Sequence, residues 1–240
     1  MNIIITGGAS GLGGSITRAL AKDPGNTVYF TYSRSKEKAD RITADHPNTV
    51  AVKCDFRSGD EVQQLTAALR GYDPDVLIHN AYSGEFLKSH FHKIPPEDFL
   101  TDFTNNILPV IRITQVAIDH FRKKKLGKII TVLTAGLHNI PPMGSSVYLA
   151  NKAYLEKLTK IWAAENARFN ITSNSVSPAF LQTDMTADFD ERLVSNMIEA
   201  HPLKRLLTVE EVTESVLFLV RCSPQINGTD LLINAATTIR

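Results

Sequence analysis

Tyr148 and Lys152 stand four residues apart in Tyr148-Leu149-Ala150-Asn151-Lys152. On a helix this spacing puts a phenol and an ammonium on one face, about one turn from each other. A tyrosine ordinarily titrates at about 10, too high for proton transfer at neutral pH. A neighbouring ammonium favours the phenolate and brings the group toward the working range. The second set with chemical content is Thr6-Gly7-Gly8-Ala9-Ser10-Gly11-Leu12-Gly13. Glycines here let backbone N–H groups approach a pyrophosphate, which then sits at the positive end of the following helix. The spacing is G-x-x-x-G-x-G rather than G-x-G-x-x-G. Its weight comes from its position, between a strand near the amino terminus and the helix after it.

Thr31-Tyr32-Ser33-Arg34-Ser35 follows the second apolar run. An acid there would bond the adenosine ribose, whereas an arginine accommodates a 2′-phosphate. No Asp or Glu occurs between Asn26 and Lys36, so NADP(H) is the preferred cofactor and NAD(H) the alternative. Asp55, just past the third strand, is placed to meet the adenine.

These groups need a scaffold that brings strand ends together. Short β-branched runs alternate with helical patterns along the chain, which predicts an α/β fold. Strands are expected at Asn2–Ile5, Thr27–Thr31, Thr49–Cys54, Asp75–Ile78, Lys128–Leu133, Thr172–Val176 and Leu231–Asn234. Between them lie helices ending near Lys22, Asp45 and Arg70, a long one over Asp98–Lys124 with Pro109 inside it, and Ser146–Arg168. A polar helical excursion follows at Gln182–His201, then a final helix to Val220. Ser58 with Glu61, and Thr208 with Glu211, have capping-box spacing. The expected architecture is one doubly wound, Rossmann-type parallel sheet with helices on both faces, as a single domain over residues 1–240.

Composition narrows the partners. Among 240 residues, 26 Lys and Arg face 25 Asp and Glu, a formal charge of +1. That leaves no electrostatic footprint for nucleic acid and no polybasic membrane anchor. The apolar runs Asn2–Thr6 and Lys128–Leu133 are too short to span a bilayer. The start of the chain shows no charged leader region or cleavage site, and Cys54 and Cys222 lack metal or redox spacing. A cytoplasmic enzyme is expected. His90 and His92 with Glu85 offer no third ligand at a useful spacing, so no metal is expected. Arg122-Lys123-Lys124-Lys125 reads as the end of a helix favoured by its dipole, or as a basic patch for an acidic carrier protein.

Taken together, the chain resembles the short-chain dehydrogenase/reductase family from Asn2 to about Asn234. The residues that carry this are the loop Thr6 to Gly13, Asp55, Asn80-Ala81, Asn106 in the long helix, Tyr148 with Lys152, and Ser177-Pro178 with Thr183. The resemblance implies that Tyr148 donates a proton to a substrate carbonyl as hydride arrives from the nicotinamide. It implies that Lys152 tunes the tyrosine and holds the nicotinamide ribose, and that Asn106 holds a water in the proton relay. The family's serine falls at Thr134, whose hydroxyl can still hydrogen-bond a carbonyl. Thr6, Gly7, Ser10, Gly11, Leu12, Gly13, Arg34, Asp55, Asn80, Ala81, Tyr148, Lys152, Pro178, Phe180, Leu181 and Thr183 are the implied cofactor contacts. The resemblance also implies a homo-tetramer or homo-dimer joined through the two long helices.

Three departures from the family pattern bear on specificity. The family's Asn-Asn-Ala-Gly is His79-Asn80-Ala81-Tyr82, its Pro-Gly is Pro178-Ala179, and its Asp-Gly-Gly is Asn234-Ala235-Ala236. Alanine at 179 is tolerable only with a negative φ. Tyr82, together with His138 in the loop before Tyr148, is a candidate substrate contact. The expected activity is NADP(H)-dependent reduction of a small-molecule carbonyl, or oxidation of the secondary alcohol, with a 3-oxoacyl thioester, possibly carrier-bound, as the family's nearest substrate. A sugar or polyol dehydrogenase and a biosynthetic tailoring ketoreductase are the alternatives. From another class, a catalytically silent cofactor-binding protein remains open.

Overall fold

The computed structural model describes residues 1–84, 86, 89–181 and 191–239. Seven strands form one sheet: β1 (Asn2–Ile5), β2 (Thr27–Tyr32), β3 (Thr49–Lys53), β4 (Val76–His79), β5 (Gly127–Val132), β6 (Ile171–Pro178) and β7 (Asp230–Ile233). Their order is β3-β2-β1-β4-β5-β6-β7, and every pairing is parallel. The helices are α1 (Gly11–Ala21), α2 (Lys36–Asp45), α3 (Gly59–Leu69), α4 (Pro96–Lys124), α5 (Ser146–Asn166), α6 (Glu191–Ala200) and α7 (Val209–Arg221).

A parallel sheet covered on both faces buries its strands on both sides, and β4 and β6 are buried at every residue, although β6 is largely polar, with Thr172, Ser173, Asn174, Ser175 and Ser177. The side-chain period of two then deals residues to two cores. Ile3 and Ile5 pack with Leu12, Ile16 and Leu20 of α1 and Val212 and Val216 of α7. Ile4 packs with Leu65 of α3, Ile113 and Phe121 of α4 and Trp162 of α5.

The helix boundaries refine the sequence reading. Helix α4 begins at Pro96, where a proline's preset φ suits the first turn and its missing N–H costs nothing. It runs through Pro109, which leaves the carbonyl of Asn105 without its usual helical donor. Ser58 caps α3 by accepting from the N–H of Glu61, but the Glu61 carboxylate turns instead to Lys53 and the N–H of Asp55. Only Thr208 and Glu211, at the start of α7, close both bonds of the capping box. Of the expected excursion at Gln182–His201, α6 accounts for Glu191–Ala200; residues 182–190, Thr183 among them, lie outside the described residues.

The basic run at the end of α4 is engaged locally. Arg122 donates to Asn166 at 2.7 Å and stacks over Phe169, Lys123 pairs with Asp119, and Lys124 pairs with Asp73 and Asp75. Helix α4 ends just before β5 begins, at the edge of the sheet opposite Tyr148. These contacts suit the helix-end reading of Arg122, Lys123 and Lys124.

Ala179 is not among the positive-φ residues, so the alanine fits there. Ala235 and Ala236, after β7, do have positive φ, at 49° and 61°. An L-residue in the left-handed region is held there at a cost that glycine avoids. Replacing either alanine with glycine should therefore stabilise the protein by about 0.5–1 kcal/mol, and both together by more. Thermal unfolding of Ala235→Gly and Ala236→Gly checks this; an unchanged or lowered Tm contradicts it.

Candidate active site

In an open parallel sheet the crevice outside the strands' carboxyl ends, where the strand order reverses, is the place for a ligand. Here that point lies between β1 and β4. The glycine loop leaves β1 and is tied down from both sides. The N–H groups of Gly7 and Gly8 donate to the side chain and carbonyl of Thr31 on β2. The Thr6 hydroxyl accepts from the N–H groups of Asn80 and Ala81, and the Asn80 amide donates to the carbonyls of Thr6 and Gly7. Asn80 and Ala81 thus shape the loop. Gly7 has φ +67°, and a Cβ at Gly13 would lie 2.1 Å from the carbonyl oxygen of Gly7.

The loop fits a dinucleotide. The Ser10 side chain makes no cap on α1, so the first-turn N–H groups of Gly11, Leu12 and Gly13 keep the unpaired, positive character that suits a pyrophosphate. Arg34 follows β2 and is exposed, with no ion pair to its guanidinium among the described residues. Asp55 is gripped by Arg57 on both carboxylate oxygens, at 3.0 and 2.6 Å. This contact holds its carboxyl down at about 2. Pro178 ends β6 and leads to Phe180 and Leu181, with Leu181 bridging to Leu207.

Tyr148 lies in the first turn of α5, and Lys152 follows one turn later on the same face. Thr134 stands just past β5 in extended backbone, its hydroxyl accepting from Gly136 N–H at 3.2 Å. Tyr148 is buried, and burial pushes its phenol up to about 12, while the nearby Thr134 hydroxyl draws it down. Lys152 is buried too; desolvation brings its ammonium down to about 8, and its Nζ donates to the carbonyl of Val132 at 2.8 Å. In the chain alone, burial outweighs any effect of the lysine on the tyrosine.

The Asn106 side chain is fully committed. Its Oδ1 accepts from Ser83 N–H at 2.7 Å, and its Nδ2 donates to the carbonyls of Ser83 and Asp102. The side chain therefore clasps the loop after β4. The Tyr82 hydroxyl donates to Asp102 at 2.7 Å, and its ring meets that of Tyr148 edge-on, with centroids 5.0 Å apart. His138 faces Asp230 at 3.3 Å, the same carboxylate that accepts from Ser175 and Ser177. Reading the sequence missed Asp102, Asn151 and Asp230. A signal was available for Asp102, an acid on the apolar stripe of α4 with Asn106, Val110, Ile113 and Ala117 at helical spacing. No group of metal-ligating residues occurs among the described residues.

A family model described as enoyl-(acyl carrier protein) reductase matches residues 7–236. The chain belongs to the short-chain dehydrogenase/reductase family. Among curated relatives, the 3-oxoacyl-[acyl-carrier-protein] reductase FabG of Staphylococcus epidermidis is 30% identical over 222 residues, covering 90% of this chain and 89% of its own. Oxidoreductase UcpA of Salmonella typhimurium is 29% identical over 248 residues, with 98% and 94% covered. Among solved structures, the 3-ketoacyl-(acyl-carrier-protein) reductase of Brucella melitensis, complexed with NADH, has a TM-score of 0.86 at 27% identity over 99% of this chain and 98% of that one. A short-chain dehydrogenase of Burkholderia cenocepacia in complex with NADP has a TM-score of 0.85 at 27% identity, with 97% and 96% covered. As a short-chain dehydrogenase/reductase the chain is an oxidoreductase, and no helix among its described residues is long and apolar enough to cross a membrane.

His79 marks where this member departs from the family's Asn-Asn-Ala-Gly. It is buried at the end of β4, with Nε2 2.7 Å from the Thr114 hydroxyl and Nδ1 unpartnered. Burial brings its pKa from 6.5 down to about 3. The unfolded chain therefore binds a proton between these values that the folded chain refuses, so stability falls as pH drops below 6.5. From pH 7.5 to pH 5 the loss should be about 2 kcal/mol. Denaturant unfolding at pH 7.5 and pH 5 should show this slope in the parent and a flatter one in His79→Asn; equal slopes contradict it.

Proposed function

We propose that this chain is an NADPH-dependent carbonyl reductase whose substrate carries an apolar acyl group, as a 3-oxoacyl thioester does. The observation that carries the reading is the buried Tyr148, with Thr134 near it and Lys152 one turn on, at the strand edge that also holds the glycine loop. When bound, the nicotinamide supplies the hydride. Tyr148 donates its hydroxyl proton to the carbonyl oxygen, and the Thr134 hydroxyl hydrogen-bonds the same oxygen. Lys152 keeps a positive charge beside the phenol, which favours the phenolate left after transfer. Arg34 binds the 2′-phosphate.

An acyl chain is favoured over a sugar by the groove at the first turn of α5. It has a volume of about 420 Å³ and is lined mainly by Phe91, Pro141, Pro142, Met143 and Leu149, with His90, Ser145 and Ser146 at its polar points. A sugar would leave its hydroxyls facing apolar walls, at a cost in lost hydrogen bonds. Leu100 and Tyr154 are exposed on α4 and α5, consistent with assembly into a homo-tetramer or homo-dimer through those helices. The two free cysteines suit a reducing, cytoplasmic setting.

The primary test is NADPH oxidation with β-ketoacyl thioesters, keto sugars and simple ketones. Turnover should be fastest with the thioesters, and preference for a keto sugar would overturn the substrate class. NADPH should bind more tightly than NADH by about 1–3 kcal/mol, as expected for a charge-assisted phosphate contact. Arg34→Ala should erase most of that difference while leaving NADH binding intact, as read by cofactor fluorescence titration.

In the same assay Thr134→Ser should retain substantial activity. Thr134→Val should cost about 2–4 kcal/mol in kcat/KM, the scale of a lost oxyanion-type donor. Tyr148→Phe should be at least as damaging while still binding cofactor. A Thr134→Val variant as active as the parent would remove threonine from the mechanism.

A further inference from the structure

Tyr82 stands where the family has glycine, and a socket is built for it. Its hydroxyl donates to Asp102 Oδ2 at 2.7 Å, and the same oxygen accepts from the Asn151 amide at 2.8 Å. Asp102 on α4 and Asn151 on α5 are both buried, so the carboxylate ties the two helices together and fixes the phenol between them. Asn106 clasps the neighbouring Ser83. A Cβ at Gly84 would lie 2.7 Å from Asp102 Oδ1, so the backbone there passes tightly over the acid.

The anchored ring faces the reactive pair. Lys152 Nζ lies 5.3 Å from the centroid of Tyr82 and 5.7 Å from that of Tyr148, both within the range of cation–π attraction. The two rings meet at 84°, the edge-on arrangement favoured by aromatic quadrupoles. Lys152 has three donors, and the Val132 carbonyl accounts for one.

We propose that Tyr82, anchored by Asp102, is a positioning residue for the catalytic pair: its ring caps the Lys152 ammonium against water and fixes the plane of Tyr148. This deepens the functional reading above and rests on it for the roles of Tyr148 and Lys152. Among the described residues, the titratable groups facing Lys152 are Tyr148 from its own helix, Tyr82 from the loop after β4 and, behind Tyr82, Asp102 from α4.

The cap acts on the lysine in two opposed ways, and two substitutions separate them. Tyr82→Ala opens the site to water, which favours the charged form, so Lys152 should titrate higher by about one unit or more. Tyr82→Leu keeps the site dry but removes the π face, so Lys152 should titrate lower than in the parent. Tyr82→Phe keeps the ring but loses its bond to Asp102, so the titration should move less than in either of the other variants.

The readout is the pH dependence of the Lys152 side-chain carbon shift by NMR, assigned with Lys152→Met, which requires no turnover. In assays of carbonyl reduction, the descending high-pH limb of kcat should move in the same direction as this titration in each variant. The Ala variant should also lose at least about tenfold in kcat, with the KM for NADPH changing less. If Ala does not fold, the downward shift in Leu decides. Titrations that coincide in the parent and in every folded variant would overturn the role of Tyr82. A parent that reduces no ketone would instead overturn the functional reading, and the NMR result would still decide the role of the ring.

Discussion

Parallel strands cannot be joined by tight turns; each must be followed by a crossover long enough to return the chain to the same starting edge. With seven strands all running one way, every return packs a helix or loop onto a face, and every strand delivers its next residues to one common edge. The placement of Thr6, Asn80, Thr134 and Pro178, far apart in sequence and close in space, follows from that constraint. The edge also explains why the polar work of the fold is concentrated there. The Thr6 hydroxyl, the Asn80 amide and the Thr31 side chain satisfy backbone groups that a sheet end leaves open, and in doing so they give the glycine loop its shape.

Burial sets the electrostatics of the reactive pair. A phenol removed from water resists ionisation and a buried amine resists protonation, and both effects are present at Tyr148 and Lys152. The ammonium is met by a carbonyl dipole and two aromatic faces rather than by a carboxylate. That environment keeps the charge weakly held, a useful property for a group next to a proton donor. Among the described residues, the carboxylate of Asp102 spends one oxygen on Tyr82 and Asn151 and so acts on the lysine through a ring.

Much of this was legible in the sequence. Uniformly apolar runs such as Asn2–Ile5 predict strands covered on both faces, and the glycine spacing with Tyr148 and Lys152 locates both halves of the site. What periodicity does not carry is long-range polar pairing. The apolar stripe of α4 marks Asp102 as inward-facing but does not name Tyr82 and Asn151 as its partners, and Asp230 reads as a strand-end residue until Ser175, Ser177 and His138 converge on it. Helix caps show the same limit. The spacing of Ser58 and Glu61 matches that of Thr208 and Glu211, yet Lys53 captures the carboxylate in the first case, while Arg205 and Thr208 share it in the second.

The packing of α1 against α7 has a consequence for synthesis. Ser15 and Thr213, hydrogen-bonded across that contact, are separated by 198 residues. At a translation rate of about 5–20 residues per second, the first helix of the chain waits roughly 10–40 s for the partner that covers Ile16 and Leu20. During that interval a nascent chain carries an unfinished apolar face at the very element that later cradles a pyrophosphate. The nucleotide-binding half is thus among the first parts made and among the last completed, and the growing polypeptide presents a surface suited to chaperone capture until its final helix emerges.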